Sequence, residues 1–556
     1  MSELPLFPQL SISQPQAENL HELANSLSSL IAKDADCEEL FQTEAKLTKG
    51  IKQWRTAENL AGLNRILGRE LDKEVSDWSY FSEHRSLVYE LKEKYFSGLN
   101  DKKRYLDFKD SQFHDEFEDW LHFESKITVS EQVHEKENLA RLLNLLPSFF
   151  GLAEEIAGDL LLLPWQNADL REKVLLNLSE DCWGQMKERE RLFYDLFICR
   201  DKIAKAHGFP HYYAYVSARE AQDEFSLEER EVFLKNVVDK AASIWQEVIR
   251  LRNLRFPHNL NSLSDYFLLI PEGEQFLSFN DAEINKQLIT ALSCLSCESG
   301  DAIAEFINKG YISYRCNSLQ GKNRVTVPLP DEETIFLTFP IHRELTTFPE
   351  LYYHLGEALS EFRFMKKGNC WRIRENSFTS KKILAQLVFL RCEPLLKDIY
   401  DNKAELISDL DWAKQLMTLP LALARFELES FIYSQDDVPD LSEVDEKWRE
   451  LRSSYFPSLE IGEDGFFSRG KGWQYFLSDG TRPFSSLASS LAMVTVLSSI
   501  PLVNSSTKIK KAFEKFLDVD GILSLRERLE YAGLSSPLEL KNIEKAFFQL
   551  CVKLEL

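Results

Sequence analysis

The sequence is short of histidine and of positive charge. It has ten histidines in 556 residues, and His354 is the last of them. No choice of register can therefore supply a catalytic histidine further down the chain. Lys and Arg number 66 against 89 Asp and Glu, a net charge of −23. That balance lacks the basic footprint a nucleic-acid partner requires, so none is expected. The most hydrophobic stretch, residues 139–165, is interrupted by Arg141, Pro147, Glu154, Glu155 and Asp159. It reads as a buried helix hairpin rather than a membrane span. The opening MSELPLFP has neither a basic n-region nor an apolar h-region, so no signal peptide is expected. Nine cysteines (Cys37, Cys182, Cys199, Cys294, Cys297, Cys316, Cys370, Cys392 and Cys551) are scattered along a large chain and form no compact disulfide framework. That usage favours a reducing compartment, with the cytoplasm as the expected location. No internal repeat stands out at a solenoid period.

What is present is a folded chain. Apolar residues make up 44 % and aromatics 12 %, and the length allows at least two lobes around a large core. Residues 1–20, with Pro5, Pro8 and Pro15, read as an extended arm. From 21 to about 195 apolar residues recur at three- and four-residue steps, as in Val88, Leu91, Tyr95 and Leu99, which predicts a helical lobe. Trp54, Trp78, Trp120 and Trp165 fall in such segments and read as core. Helices are predicted onward to about Ile307, with a Pro/Gly-bearing break from Asn259 to Glu274. Between Gly310 and His342 the period changes. YISYRC (311–316), RVTVP (324–328) and TIFLTF (334–339) alternate or run apolar with β-branched residues, which predicts a small sheet.

The stretch after the sheet, TTFPELYYHLGEALSEF (346–362), reads as a helix with Pro349 in its first turn. Glu350, His354, Glu357 and Glu361 stand at offsets 0, 4, 7 and 11 and share one face. One imidazole with carboxylates could suit a hard metal, and His342 lies just upstream. Otherwise Glu350 and Glu361 are solvated or pair with Arg343, Arg363 or Lys366, and His354 is an ordinary cleft residue. Cys294 and Cys297 form a lone C-x-x-C on a helical pattern, read as two buried small residues. Ser485, Ser486 and Ser489 offer hydroxyls, but no later histidine exists to serve as their base.

The 346–362 stretch resembles the active-site helix of the zinc oligopeptidases of the oligoendopeptidase F and thimet-oligopeptidase type, T-L-x-H-E-x-G-H-A-x-H. Leu351, Gly356 and Ala358 stand where that pattern places them. Further resemblances flank it. Arg200, Ala204, Gly208, Phe209 and Tyr212 match R-x-x-x-A-x-x-x-G-F-x-x-Y, which opens the family's catalytic domain. Gly321 and Lys322 match the start of a substrate loop, R-x-G-K-x-x-G-G-Y, whose glycine pair falls here on Val325 and Thr326. Trp473, Gln474, Pro483 and Phe484 match the surroundings of a C-terminal motif, and residues 521–537 resemble the family's terminal helix and its Ala-Gly turn. The resemblance covers about 350 residues from Arg200 onward.

The chemical positions depart from the pattern. With Gly356 in register, Tyr353 takes the first zinc-ligand position, His354 the general-base position and Glu357 the second ligand position. A gluzincin helix needs two histidines one turn apart with a glutamate beside the first. The third ligand of the family is a Glu about 25 to 28 residues later, and no acid occurs from Asn376 to Cys392. The downstream His position is Ser478, and Ser485, Ser486 and Ser489 replace the tyrosines expected to donate to an oxyanion.

The resemblance thus implies a mainly α, two-lobed fold with a small sheet before the former zinc helix and a deep internal channel. Its expected parts are an arm (1–20), an N-terminal helical lobe (21–195) and a peptidase-like domain (196–556) with its sheet at about 310–342. The function expected is that of a pseudo-peptidase that keeps a peptide-binding channel for an oligopeptide or protein segment, with Gly321 and Lys322 as substrate-binding positions. No cofactor is expected. The alternatives are an active metallo-oligopeptidase with a rearranged zinc site on Glu350, His354, Glu357 and Glu361, and a helical interaction scaffold.

Overall fold

The computed structural model describes residues 15–33, 37–66, 87, 91, 190–220, 224–255, 280–295, 297–314, 325–338, 347–366, 377–455, 473–476, 483–501, 506–519 and 523–554. The principal helices are α1 Ala17–Lys33, α2 Cys37–Ile66, α3 (residues 190–206), α4 Tyr212–Glu220, α5 Leu227–Arg255, α6 Asp281–Leu295, α7 Cys297–Asn308, α8 Thr347–Lys366, α9 Phe378–Cys392, α10 Ala404–Tyr433, α11 Leu441–Tyr455, α12 Ala488–Ser499, α13 Ser506–Asp518, α14 Leu525–Ala532 and α15 Leu540–Lys553. Strands β1 Ile312–Ser313, β2 Val325–Leu329 and β3 Thr334–Thr338 lie between α7 and α8. The mainly helical reading with a small sheet directly before the central helix α8 is therefore correct. Two compact units emerge, each built from separated stretches of chain. One comprises Met1–His134, Glu298–Ile341 and Ala358–Asn376, and the other Glu135–Cys297, His342–Glu357 and Ser377–Leu556.

In the first unit α1 buries Ala17, Leu20, Ala24 and Leu27, steps of three and four residues that make one apolar face against α2. The helix opens at Ala17, so residues 17–20 belong to it and not to an extended arm. The amphipathic period already includes Ala17, and Pro15 marks the boundary. Trp54 is buried on α2, as its helical spacing predicts. The sheet has the order β1-β3-β2, with β1 parallel and β2 antiparallel to β3. Val325 and Thr326 are paired strand residues opposite Thr338 and Leu337. The turn after β2 is held by α2, where Asn59 Nδ2 donates to the Pro328 carbonyl at 2.8 Å and the Asp331 N–H donates to Thr56 Oγ1 at 2.9 Å.

In the second unit α9 and α12 are buried nearly all round and pack on each other, with α15 against α12 and α5. Helices apolar on every side can lie only inside a core. Polar anchors fix α9 at its start. Ser377 Oγ caps the Ser380 N–H at 3.1 Å, and Arg528 Nη1 of α14 donates to Ser380 Oγ at 2.8 Å. The Arg528 guanidinium also stacks 4.2 Å above the Phe516 ring.

The resemblance motifs become framework. Gly208 adopts φ +78 after α3, the Phe209 N–H bonds back to the Ala204 carbonyl at 3.0 Å and the Gly208 N–H to that of Lys205 at 3.0 Å. This is a glycine helix stop. Arg200 is buried, donates to Tyr433 Oη at 2.8 Å and lies over the Tyr212 ring. Gly533 ends α14 in the same way, at φ +70 with the Leu534 N–H on the Leu529 carbonyl at 2.8 Å.

Cys294 and Cys297 do not share a helix, because α6 ends at Leu295 and α7 begins at Cys297. Cys294 is partly buried. The readings of Trp78, Trp120 and Trp165, of Val88, Tyr95 and Leu99, of the 139–165 hairpin and of the 259–274 break lie outside the described residues, as do His342, Arg343, Gly321, Lys322 and Ser478. Among the described residues no helix is long and apolar enough to cross a membrane.

Candidate functional site

Helix α8 runs as its sequence predicts, with Pro349 in the first turn. Its position against α9 is set by Gly356, where a Cβ would meet the Ala385 Cα at 2.4 Å and the Leu384 carbonyl oxygen at 2.7 Å. Only a glycine allows the two backbones to come this close. The crossing brings the residues on either side of Gly356, Tyr353 and Glu357, onto side chains of α9.

Glu357 meets Lys382. The ammonium donates to Glu357 Oε1 at 2.5 Å, while Oε2 lies 3.5 Å from His354 Nδ1. The three side chains are partly buried. Burial alone would raise the Glu357 carboxyl, but the Lys382 charge, followed by His354, outweighs it and holds the group well below the ordinary glutamate range. The Lys382 ammonium also lies 5.1 Å from the Phe378 ring centroid. Lys382 follows Glu357 by 25 residues. That places it within the interval where the resemblance puts a third ligand of opposite charge. Counting from Glu357, rather than searching for an acid, is the sequence signal that would have singled out Lys382.

Tyr353 joins a different set. Its ring stacks on Phe389, with centroids 4.6 Å apart and planes 19° from parallel. Its hydroxyl donates to Asp411 Oδ2 at 3.0 Å and accepts from Gln415 Nε2, which also donates to Asp411 at 2.9 Å. Gln386 Nε2 completes the chain on Gln415 Oε1 at 2.5 Å. Burial, and then the neighbouring Asp411 charge, hold the Tyr353 phenol well above its ordinary value. Burial also raises the Asp411 carboxyl, although hydrogen bonds from Gln415 and Tyr353 pull it down.

The four residues of the α8 stripe are thus not gathered on one ion. His354 and Glu357 meet each other. Glu350 is buried rather than solvated, and Lys414 of α10 donates to it at 2.5 Å. Glu361 is partly buried one turn further on. Among the described residues no three His, Cys, Asp or Glu side chains form a metal-holding group. The donor set does not suit zinc. A zinc site requires deprotonated ligands, yet Tyr353 is held as a phenol, Glu357 is occupied by an ammonium, and that ammonium comes from within the interval where the resemblance puts the third ligand.

The C-terminal motif is also structural. Trp473 is buried and donates from Nε1 to Asp445 Oδ1 at 2.7 Å, and Gln474 Nε2 donates to Glu190 Oε1 at 3.0 Å. Phe484 has φ +63, a strained region for a bulky residue. It is held there by its N–H on Glu429 Oε2 at 2.6 Å and by Arg230 Nη1 on its carbonyl at 3.0 Å. Ser485 and Ser486 follow in a single 3-10 turn, partly buried, and Ser489 is exposed on α12.

The fold as a whole recurs in known structures. The chain matches PZ peptidase A with an inhibitor at a TM-score of 0.82 and 15 % identity, over 99 % of both chains. The chain has the oligoendopeptidase F fold. A structure assigned to oligoendopeptidase F matches at a TM-score of 0.82 and 14 % identity over 98 % of both chains. The oligoendopeptidase F of Enterococcus faecium matches at 0.57 and 11 % over 97 % of both. No protein-family model matches the chain, and no curated protein matches it in sequence.

Proposed function

We propose that this protein is a non-catalytic oligoendopeptidase F-like protein, a cytoplasmic pseudo-peptidase that binds an oligopeptide or an extended protein segment without hydrolysing it. One observation carries the reading: both positions where the resemblance places zinc-ligating histidines are committed to protein partners, Glu357 to Lys382 and Tyr353 to Asp411 and Gln415. Without a metal there is no Lewis acid for the peptide carbonyl and no activated water. On this reading His354, at the general-base position beside Glu357, has no metal-activated water to act on. Peptide binding is supported by the fold, since PZ peptidase A with this architecture holds an inhibitor.

The test joins three measurements on the purified full-length protein: elemental analysis after dialysis, mass spectrometry of a peptide library after incubation, and fluorescence anisotropy with labelled oligopeptides. Substoichiometric zinc, intact peptides and saturable binding are expected. Chelator-sensitive cleavage would instead establish an active metallo-oligopeptidase with a rearranged site. Failure of every peptide to bind would leave a helical interaction scaffold.

A further inference from the structure

We infer that the Lys382 ammonium is a built-in replacement for a metal ion: a fixed monovalent cation that ties α8 to α9 through Glu357 and keeps divalent cations out. The inference rests on the reading above that the zinc chemistry is gone, and it says what took the zinc's place. Both Glu357 oxygens are engaged, one by Lys382 at 2.5 Å and the other facing His354 Nδ1 at 3.5 Å. A charge-assisted N–H···O hydrogen bond between them ties the two helices directly. It does so beside the point where Gly356 and Ala385 are already in backbone contact.

The charge balance around it is also wrong for a cation site. Metal-binding clusters gather surplus carboxylate around one point. Here three carboxylates have separate counterparts: Lys382 on Glu357, Lys414 on Glu350, and the Tyr353 and Gln415 donors on Asp411. A divalent ion approaching Glu357 would meet an ammonium already in contact with it and would be repelled. The lysine thus supplies the attraction between helices that a shared metal would supply, and it needs no metal supply to do so.

The test uses four full-length proteins, each melted in chelator and in excess zinc chloride, with zinc affinity measured by competition against a fluorescent chelator. Wild type should show the same Tm in both. Lys382→Met removes the cation, and its Tm should fall by roughly 1–3 °C and stay unresponsive to zinc. The double variant Lys382→Met/Glu357→Gln, which removes both charges, should recover most of that loss. Lys382→Glu places a carboxylate opposite Glu357 and His354. It should be the least stable in chelator, regain Tm with zinc, and bind zinc at least about tenfold more tightly than wild type, the scale on which metal sites respond to changed surroundings.

Zinc uptake by wild type at one ion per chain would overturn the inference, as would a Lys382→Met protein as stable as wild type. Should Lys382→Glu fail to fold, the comparison of Lys382→Met with the double variant still decides the matter: equal losses in both overturn it. Peptide cleavage by a zinc-free wild type would defeat the proposed function and leave the cation replacement standing. Zinc binding without cleavage would do the reverse.

Discussion

Gly356 and Ala385 are in backbone contact: a Cβ on the glycine would lie 2.6 Å from the Ala385 nitrogen and 2.4 Å from its Cα. Gly356→Ala therefore forces α8 and α9 apart. It is expected to cost about 1–3 kcal/mol, the usual penalty for overpacking a core, read as a fall in urea midpoint. Because the atoms met belong to the backbone, Ala385→Gly should not rescue the variant. Rescue would show that the helices can slide.

The Glu224 carboxylate, buried in the second unit, accepts from Ser377 Oγ and Thr379 Oγ1, both at 2.7 Å, from the Thr379 N–H at 3.2 Å and from Arg230 at 2.9 Å. Glu224→Ala removes the carboxylate paired with the buried Arg230 guanidinium and strips the start of α9. The expected loss is about 3–5 kcal/mol, the largest of the single substitutions considered. A loss below 1 kcal/mol by chemical denaturation would mean that the start of α9 is anchored some other way.

Asp411 behaves in the opposite sense. Its folded-state carboxyl is raised above the ordinary value of 3.8 by burial, so ionisation destabilises the fold, and the penalty grows as pH rises through the folded value. Asp411→Asn keeps an acceptor for Tyr353 and Gln415 and removes the buried charge. At neutral pH its Tm should equal or exceed that of wild type, whereas Asp411→Ala, which strands two donors, should lose about 1–3 kcal/mol.

Glu357 sets a pH dependence of the usual carboxylate sign. Its folded value is depressed below the ordinary 4.5, so the Lys382 pair contributes its full stability above that pH and loses it progressively as pH falls toward the folded value. Both partners are partly exposed, which limits the contribution to about 1 kcal/mol or less. The Tm difference between wild type and Glu357→Gln should be constant above pH 5 or so and shrink below it. A difference that widens on acidification would contradict the pair.

Much of the fold was legible because its signals are local. The alternation that marks β2 and β3 and the motif glycines Gly208 and Gly533 act through neighbours a few residues away. The period of Ala17, Leu20, Ala24 and Leu27 is just as local, although the prolines before it made residues 17–20 read as part of an arm. The candidate site was legible by subtraction: Tyr353 and Glu357 stand where histidines would, and no histidine follows His354. The occupants were not legible. Glu350 shares its helix with Arg363, yet it pairs with Lys414, 64 residues away.

By itself, then, the sequence determined that this chain is mainly helical with one small sheet and carries no gluzincin ligand set, because periodicity, caps and residue identity need no tertiary contact. The tertiary structure alone decided that Lys382 would face Glu357, and that Asp411 and Gln415 would enclose the Tyr353 hydroxyl. Those pairings follow from the distance at which α8 crosses α9 and from where α10 runs. The close crossing depends on one missing side chain, at Gly356, whose effect appears only when a second backbone lies against it.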